Sequence, residues 1–209
     1  FVNFCYHKHM NNFIEEYPNT LSRIDCQKII SWYEKSKNLQ EQGLVGAGRV
    51  DLKTKECSQI AMYFLNEPKD INVMILNCLI EGLKKYKKKN SEIDNYIYPW
   101  GACPDWNLQK YLPKQGYHGI HCEATSPENS FRVMAWMIYL NTIKDKGGTC
   151  FPLQRKTVAA EEGKLVLWPA YWTHIHHGVV SPTETKYIAT GWFTFNQDNP
   201  GGKELKIFN

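Results

Sequence analysis

His121 and Glu123 are a pair of residues whose types and spacing could bind a metal ion. They lie two positions apart in HGIHCEAT, ahead of the apolar run FRVMAWMIYL. Side chains at i and i+2 point to the same face of an extended strand, so the imidazole and the carboxylate can reach one ion while Cys122 points away. The pair therefore predicts part of a metal site on a β-strand.

A second group of histidines lies further along the chain, in HIHHG, where His174, His176 and His177 follow one another closely. Together with His118 and His121 they make five of the seven histidines, in two clusters that a folded sheet could bring together. If this segment is a strand, His174 and His176 share a face and His177 points away.

One imidazole from the second group would complete a set of two nitrogens and one carboxylate. On an octahedral ion such a set leaves three positions open, which is the facial triad of non-haem Fe(II) oxygenases. Tetrahedral zinc accepts the same three ligands with a water. The ligand types alone therefore favour neither oxygen chemistry nor hydrolysis.

An ordered series of residues surrounds these histidines: Tyr111, His121, Glu123, Arg132, Tyr139, Leu140, Gly147, Thr149, Phe151, Pro152, His176, Gly178, Lys186 and Trp192. With this order and spacing, about residues 105–195 resemble the 2-oxoglutarate- and Fe(II)-dependent dioxygenases, and within them the prolyl 4-hydroxylase type. The N-terminal helices are more loosely similar to the support helices of that family.

The resemblance implies that His121, Glu123 and His176 bind iron and form the catalytic centre. Among the distal histidines, only His176 has both a glycine at +2 and a lysine at +10. His174 and His177 are then expected to lie outside the set of ligands, as partners of the metal-bound imidazoles or as surface groups.

The resemblance also implies a binding site for 2-oxoglutarate beside the iron. The buried distal carboxylate of this cosubstrate requires a cation, and Lys186 is the expected one. Alternation along KYIATGW places Lys186, Ile188, Thr190 and Trp192 on one face, towards the interior of the barrel, so Trp192 is expected to line the 2-oxoglutarate site together with Lys186. The hydroxyl groups of Tyr111 and Thr149 are expected to contact the carboxylates of 2-oxoglutarate, and Arg132 is expected to face the substrate.

The activity implied is hydroxylation of an unactivated C–H bond with Fe(II), 2-oxoglutarate and O₂, with ascorbate as a candidate reductant. The motifs resemble the procollagen-proline 4-dioxygenase subgroup, so the expected partner is a protein or peptide that contains proline. A family member acting on a free amino acid or another small molecule is the alternative. Zinc-dependent hydrolases or isomerases on a cupin-like barrel, and a non-catalytic jelly-roll binding module, are alternatives of other classes.

The sequence departs from the family pattern at two positions. Glu123 stands where the family has Asp, which lengthens the side chain by one methylene and keeps its charge. Gly148 stands where Glu is common. The segment between Glu123 and Arg132 is short, so GLVGAGRVDLKTKECSQ, residues 43–59, is a candidate lid because of its glycine hinges.

The remaining patterns predict the scaffold. Ser22 followed by Asp25 predicts the start of a first helix, and a second is expected to open near Pro68 and run through the lysine-rich KKYKKKN. From about Trp100, short runs rich in aromatic and β-branched residues predict strands. The expected fold is α+β, mainly β: a double-stranded β-helix (jelly roll) at about 100–196 with support helices at about 20–90, in a single domain spanning 1–209.

Composition and charge exclude several classes of protein. The net charge of +4 comes largely from the lysine run, which indicates a solvated helix end and no nucleic-acid partner. Seven scattered cysteines without a C-x-x-C motif argue against a disulfide framework and favour a reducing compartment. No apolar stretch is long enough to span a membrane. A cytoplasmic location is expected.

Overall fold

The computed structural model describes residues 11–195. Its helices are α1 (Arg23–Lys35), α2 (Lys69–Lys89) and the short α3 (Glu92–Tyr96). The side chain of Ser22 accepts a hydrogen bond from the backbone N–H of Asp25 at 3.1 Å, which confirms the predicted cap of α1. As predicted, α2 begins directly after Pro68 and ends in a run of lysines, where cations favour the negative end of the helix dipole.

Within residues 11–195, twelve strands form three sheets. They are β1 (Glu15–Tyr17), β2 (Glu41–Gln42), β3 (Leu44–Val45), β4 (Arg49–Val50), β5 (Ser58–Tyr63), β6 (Trp100–Tyr111), β7 (Arg132–Tyr139), β8 (Thr149–Phe151), β9 (Lys156–Val158), β10 (Leu165–Pro169), β11 (His177–Gly178) and β12 (Lys186–Phe195). The large antiparallel sheet has the order β1-β10-β7-β12-β6-β5-β2, the small sheet has the order β11-β8-β9, and β3 and β4 form a hairpin.

The large sheet is buried on both faces. Along β7, Met134, Trp136 and Ile138 pack with the buried side chains of α1 and α2. The alternating residues Met137 and Tyr139 pack instead with Phe151 of β8, Val158 of β9 and Trp168 of β10. Helices therefore cover one face and the small sheet covers the other, which confirms the predicted jelly roll with helices packed on it.

Several strands were not predicted from the sequence. β1, β2 and β5 come from the N-terminal half of the chain and join the large sheet. β5 (SQIAMY) has buried residues on both faces, so it lacks the alternation that marks a half-exposed strand. β1, β2 and β9 are too short to carry a period. Within residues 11–195, no helix combines the length and the hydropathy needed to cross a bilayer.

Candidate active site

The side chains of His121, Glu123 and His176 converge at one point. One donor atom from each lies within 4.8 Å of the other two. The Oε1 atom of Glu123 lies 3.3 Å from Nε2 of His176 and 3.7 Å from Nε2 of His121. Because ligand bonds of about 2.1 Å place adjacent donor atoms roughly 3 Å apart, a small inward shift would close this set on one ion. These three residues could hold a metal.

Backbone hydrogen bonds bring the two histidine segments together. The N–H of His121 donates to the carbonyl of His176 at 3.0 Å, and the N–H of His176 donates to the carbonyl of His121 at 2.8 Å. The N–H of Glu123 donates to the carbonyl of Ala170, which follows β10. The prediction that His121 and Glu123 lie on a regular strand is wrong. His121 pairs with His176 in an isolated bridge, whereas Glu123 bonds to a different segment. Their side chains nevertheless point to the same side.

Hydrogen bonds at Nδ1 leave the Nε2 atoms of the two imidazoles directed at the centre of the site. Nδ1–H of His121 donates to the carbonyl of Gly119 and Nδ1–H of His176 donates to the carbonyl of His174, both at 2.9 Å. In a neutral imidazole with its proton on Nδ1, the Nε2 atom carries a lone pair that can bind a metal. Burial lowers the pKa of His121 to about 4, so its ring is neutral near pH 7.

The carboxylate of Glu123 is ionised at the same point. Burial opposes its charge, but the neighbouring His176 and His121 and a hydrogen bond from Trp192 outweigh that effect and hold its pKa below the usual range. Two imidazoles whose Nδ1 atoms are already hydrogen-bonded and one ionised carboxylate are a set of donors that fits a divalent ion such as Fe(II), which would displace any proton from Nε2.

The second oxygen of Glu123 is held by Trp192. Nε1–H of the indole donates to Oε2 at 2.7 Å. The guanidinium carbon of Arg132 lies 3.7 Å from the centroid of the Trp192 ring, and an Arg132 nitrogen donates to the backbone carbonyl of Glu123 at 3.0 Å. The sequence had placed Trp192 against 2-oxoglutarate and did not predict this hydrogen bond. The one sequence feature that could have indicated this hydrogen bond is that Glu123, with its longer side chain, stands where the family has Asp.

Lys186 is a buried cation in the same cavity. The residue is 6% exposed, and its ammonium donates to the carbonyl of Gly147 at 3.0 Å and lies 5.0 Å from the ring centroid of Tyr111. Burial lowers its pKa to about 8. As predicted from alternation, Lys186, Ile188, Thr190 and Trp192 all line one cavity. Among the described residues, no carboxylate pairs with this buried ammonium, so it can take an anionic ligand group.

Two hydroxyl groups predicted to contact 2-oxoglutarate have protein partners. The hydroxyl of Tyr111 donates to Oε1 of Gln109, and the hydroxyls of Thr149 and Tyr139 share a hydrogen bond, both at 2.7 Å. Burial raises the pKa of Tyr111 well above its ordinary value, so the phenol stays protonated and can donate.

One cavity of about 860 Å³ brings the predicted residues together. All eight line it: Tyr111, His121, Glu123, Arg132, Thr149, His176, Lys186 and Trp192. Asn107, Gln109 and Tyr117 are among the lining residues that the sequence did not predict, and Lys55 and Gln59 were predicted only as part of the candidate lid. The candidate lid segment contributes residues of the β3–β4 hairpin to the wall, while its role as a lid stays a prediction.

The other distal histidines lie elsewhere. His174 ends a short 3-10 helix that starts at Trp172, so the prediction that His174 and His176 share a strand face is wrong. The ring of His174 bonds to the carbonyl of Asn12 and to the hydroxyl of Thr173. Its backbone carbonyl, not its ring, orients the imidazole of His176.

A steric constraint explains why position 148 is a glycine. A Cβ atom at this position would lie 2.2 Å from the carbonyl oxygen of Val158 on the neighbouring strand. The Glu that is common there in the resembled family would therefore require the β8–β9 pairing to shift.

A jelly roll whose cavity combines a His–Glu–His set with a buried lysine has the arrangement expected of a non-haem Fe(II) oxygenase. Residues 106–194 match the family model described as the 2OG-Fe(II) oxygenase superfamily. This part of the chain is therefore a 2OG-Fe(II) oxygenase domain, and the family implies Fe(II), 2-oxoglutarate and O₂ as its cofactors and cosubstrates.

Solved structures with the same fold include several prolyl hydroxylases. A viral collagen prolyl hydroxylase from Paramecium Bursaria Chlorella virus-1 is 18% identical, with a TM-score of 0.65, and the match covers 88% of this chain and 97% of that one. A Trichoplax adhaerens prolyl hydroxylase in complex with a peptide fragment of the hypoxia inducible factor oxygen degradation domain is 15% identical, with a TM-score of 0.71 and coverage of 88% and 84%.

A Pseudomonas putida prolyl-4-hydroxylase is 13% identical, with a TM-score of 0.64 and coverage of 88% and 94%. No curated protein matches the chain by sequence. At these identities the solved structures support the fold.

Proposed function

We propose that this protein is a prolyl 4-hydroxylase that acts on peptidyl proline. In this proposal His121, Glu123 and His176 hold Fe(II). When bound, the iron supplies the activation of O₂ that couples oxidation of 2-oxoglutarate to succinate and CO₂ with insertion of oxygen into a C–H bond. The observation that carries the proposal is the buried, unneutralised ammonium of Lys186 in the same cavity as the three ligands.

The protein residues bind and orient the cosubstrate in this scheme. Lys186 pairs with the distal carboxylate of 2-oxoglutarate, and the hydroxyls of Tyr111 and Thr149 donate to its carboxylates after exchanging their present partners. Trp192 lines the cosubstrate site and fixes the unbound oxygen of Glu123. A zinc hydrolase would have no use for a second buried cation of this kind.

Arg132 is the residue that we assign to the substrate side. Its guanidinium stacks on Trp192 and lines the cavity, where it can donate to a substrate carbonyl. The choice of a peptide substrate is supported by the fold neighbours that are prolyl hydroxylases, one of them in complex with a peptide. The cavity is at the upper end of the range for small-molecule sites, which leaves room for part of a second ligand beside 2-oxoglutarate.

Turnover of 2-oxoglutarate tests this function. Succinate formation should require Fe(II) and O₂ and should be stimulated by proline-containing peptides, with hydroxyproline detected in the peptide by mass spectrometry. Stimulation by free proline alone would assign a small-molecule substrate instead. Activity that persists with zinc and without O₂ would contradict the oxygenase.

We also propose that the protein works in the reducing cytoplasm as a single domain. The support is that all six cysteines among the described residues are unpaired. Thiol titration of the protein purified without reductant should find them free, and one cooperative unfolding transition is expected.

A further inference from the structure

Beyond the candidate iron site, the cavity is lined by side chains of the adjacent strands β12, β6 and β5 of the large sheet. Ile188 of β12 is paired with Gln109 of β6, and Gln109 is paired with Gln59 of β5. All three side chains line the cavity. The same sheet face therefore carries a row of polar side chains on β6 and β5, beyond the strand that bears Lys186.

Lys55 is a second buried lysine in this cavity. It is 4% exposed, and its ammonium donates to Oε1 of Gln59 at 2.8 Å and to the carbonyl of Leu44 at 3.2 Å. No carboxylate of the described residues lies within 4 Å of it. Glu41 is reached only through Gln59, whose amide donates to it at 3.1 Å. An ammonium has three protons, so one remains for a ligand, and a buried cation without an anion is destabilising.

The side-chain amide of Gln109 is a donor without a protein acceptor. Gln109 is 6% exposed, and its Oε1 accepts the hydroxyl of Tyr111. Its NH₂ group makes no hydrogen bond within the described residues, although the side chain lines the cavity. The hydrogen-bond donors of this region that lack a protein acceptor are therefore on Lys55 and Gln109. A negatively charged ligand group that accepts hydrogen bonds would satisfy both.

The position of Lys55 relates this region to the reaction centre. Its Nζ lies 5.8 Å from the ring centroid of Tyr117, and that ring stacks on the ring of His121 at 3.8 Å with an interplanar angle of 11°. The sum of the two distances is an upper limit to the separation of Lys55 Nζ from the His121 ring. In an extended peptide, which spans about 3.3–3.6 Å per residue, a group bound to Lys55 would therefore lie within roughly three residues of a group beside the His121 ring.

We propose that Lys55 and the side-chain amide of Gln109 form a second anion-binding subsite, separate from Lys186, that takes a carboxylate of the primary substrate. The subsite deepens the proposed function and rests on it. Its carboxylate is either an acidic side chain close to the target proline or the α-carboxylate of a terminal or free proline. Lys186 then serves 2-oxoglutarate and Lys55 serves the substrate.

Calorimetric binding to protein loaded with Mn(II) and 2-oxoglutarate under anaerobic conditions tests the subsite without turnover. The probes are a neutral capped alanine peptide with one central proline, versions with aspartate within three positions of the proline, a version ending at proline with a free carboxylate, and free proline. At least one carboxylate probe is expected to bind roughly 10-fold tighter than the neutral peptide, because its carboxylate accepts charge-assisted hydrogen bonds from Lys55.

Lys55→Met should abolish this preference while the affinity for 2-oxoglutarate stays unchanged. Lys53→Met is the matched control, because it removes the same charge from an exposed side chain two residues away and should keep the preference. Gln109→Leu should reduce the preference in part. Preference for aspartate identifies an acidic peptide, and preference for the α-carboxylate identifies a terminal or free proline.

Three results would overturn the subsite: no carboxylate probe is preferred, the preference survives in Lys55→Met, or Lys55→Met loses 2-oxoglutarate. An aspartate peptide with alanine in place of proline separates the two proposals. If it binds as tightly as the proline version and is lost in Lys55→Met, the subsite stands and the assignment to proline is wrong.

Discussion

Replacement of Trp192 by Phe is expected to weaken metal binding, because Trp192 orients the carboxylate ligand. Its Nε1–H donates to Oε2 of Glu123 at 2.7 Å, and this leaves Oε1 directed at the two imidazoles. Without that donor, the carboxylate can turn towards Arg132, whose nearest nitrogen lies 3.7 Å from Oε2. Metal binding must then reverse this rotation. A hydrogen bond to a charged group is worth about 1.5–3 kcal/mol.

The expected loss of affinity for Mn(II) or Fe(II) is therefore about 10- to 100-fold, in line with other groups that orient metal ligands. Anaerobic calorimetry measures it directly. Trp172→Phe is the control, since that indole is 73% exposed and should have no effect. In a Glu123→Asp background the shorter side chain cannot make the same contact, so Trp192→Phe should matter less. Affinity equal to or above that of the unmodified protein would refute the role of Trp192.

The remaining predictions address the ligands, the cosubstrate and the sheet. His176→Ala should lose metal binding and the visible charge-transfer band of the Fe(II)–2-oxoglutarate complex. His174→Ala should keep both, because it retains the backbone carbonyl that orients the imidazole of His176. Full metal binding in His176→Ala would contradict the assignment. Affinity for 2-oxoglutarate should be highest below about pH 8 and fall above it. Burial lowers the pKa of Lys186 to about 8, and only the ammonium form binds the carboxylate. Lys186→Arg should remove this pH dependence between pH 7 and 9, because arginine stays charged over that range. Gly191→Ala would place a Cβ 2.7 Å from the ring of Trp136, and urea unfolding should show a loss of about 1–3 kcal/mol; a loss under about 0.5 kcal/mol would show that the core yields there.

Local patterns were sufficient to predict much of the fold. The cap of α1, the start of α2 and the cavity-facing residues of β12 depend on interactions between residues a few positions apart, which the sequence displays directly. The choice of His176 among the distal histidines came instead from the resemblance to the dioxygenase family, whose pattern has a glycine at +2 and a lysine at +10. The strands β1, β2 and β5 escaped prediction because their burial comes from distant partners in the sheet, and they leave little period in the sequence.

The sequence by itself determined which residue types were available for a metal site and a buried cation, since those depend on side-chain chemistry and regular spacing. Only the tertiary structure decided that Trp192 bonds to Glu123, that the His174 ring turns away to Asn12, and that Lys55 faces the same cavity as Lys186. These contacts join residues far apart in the chain. They arise from the register of β5, β6 and β12 and from the His121–His176 backbone bridge, and hydrogen bonds of this kind form only after the sheets have closed around the cavity.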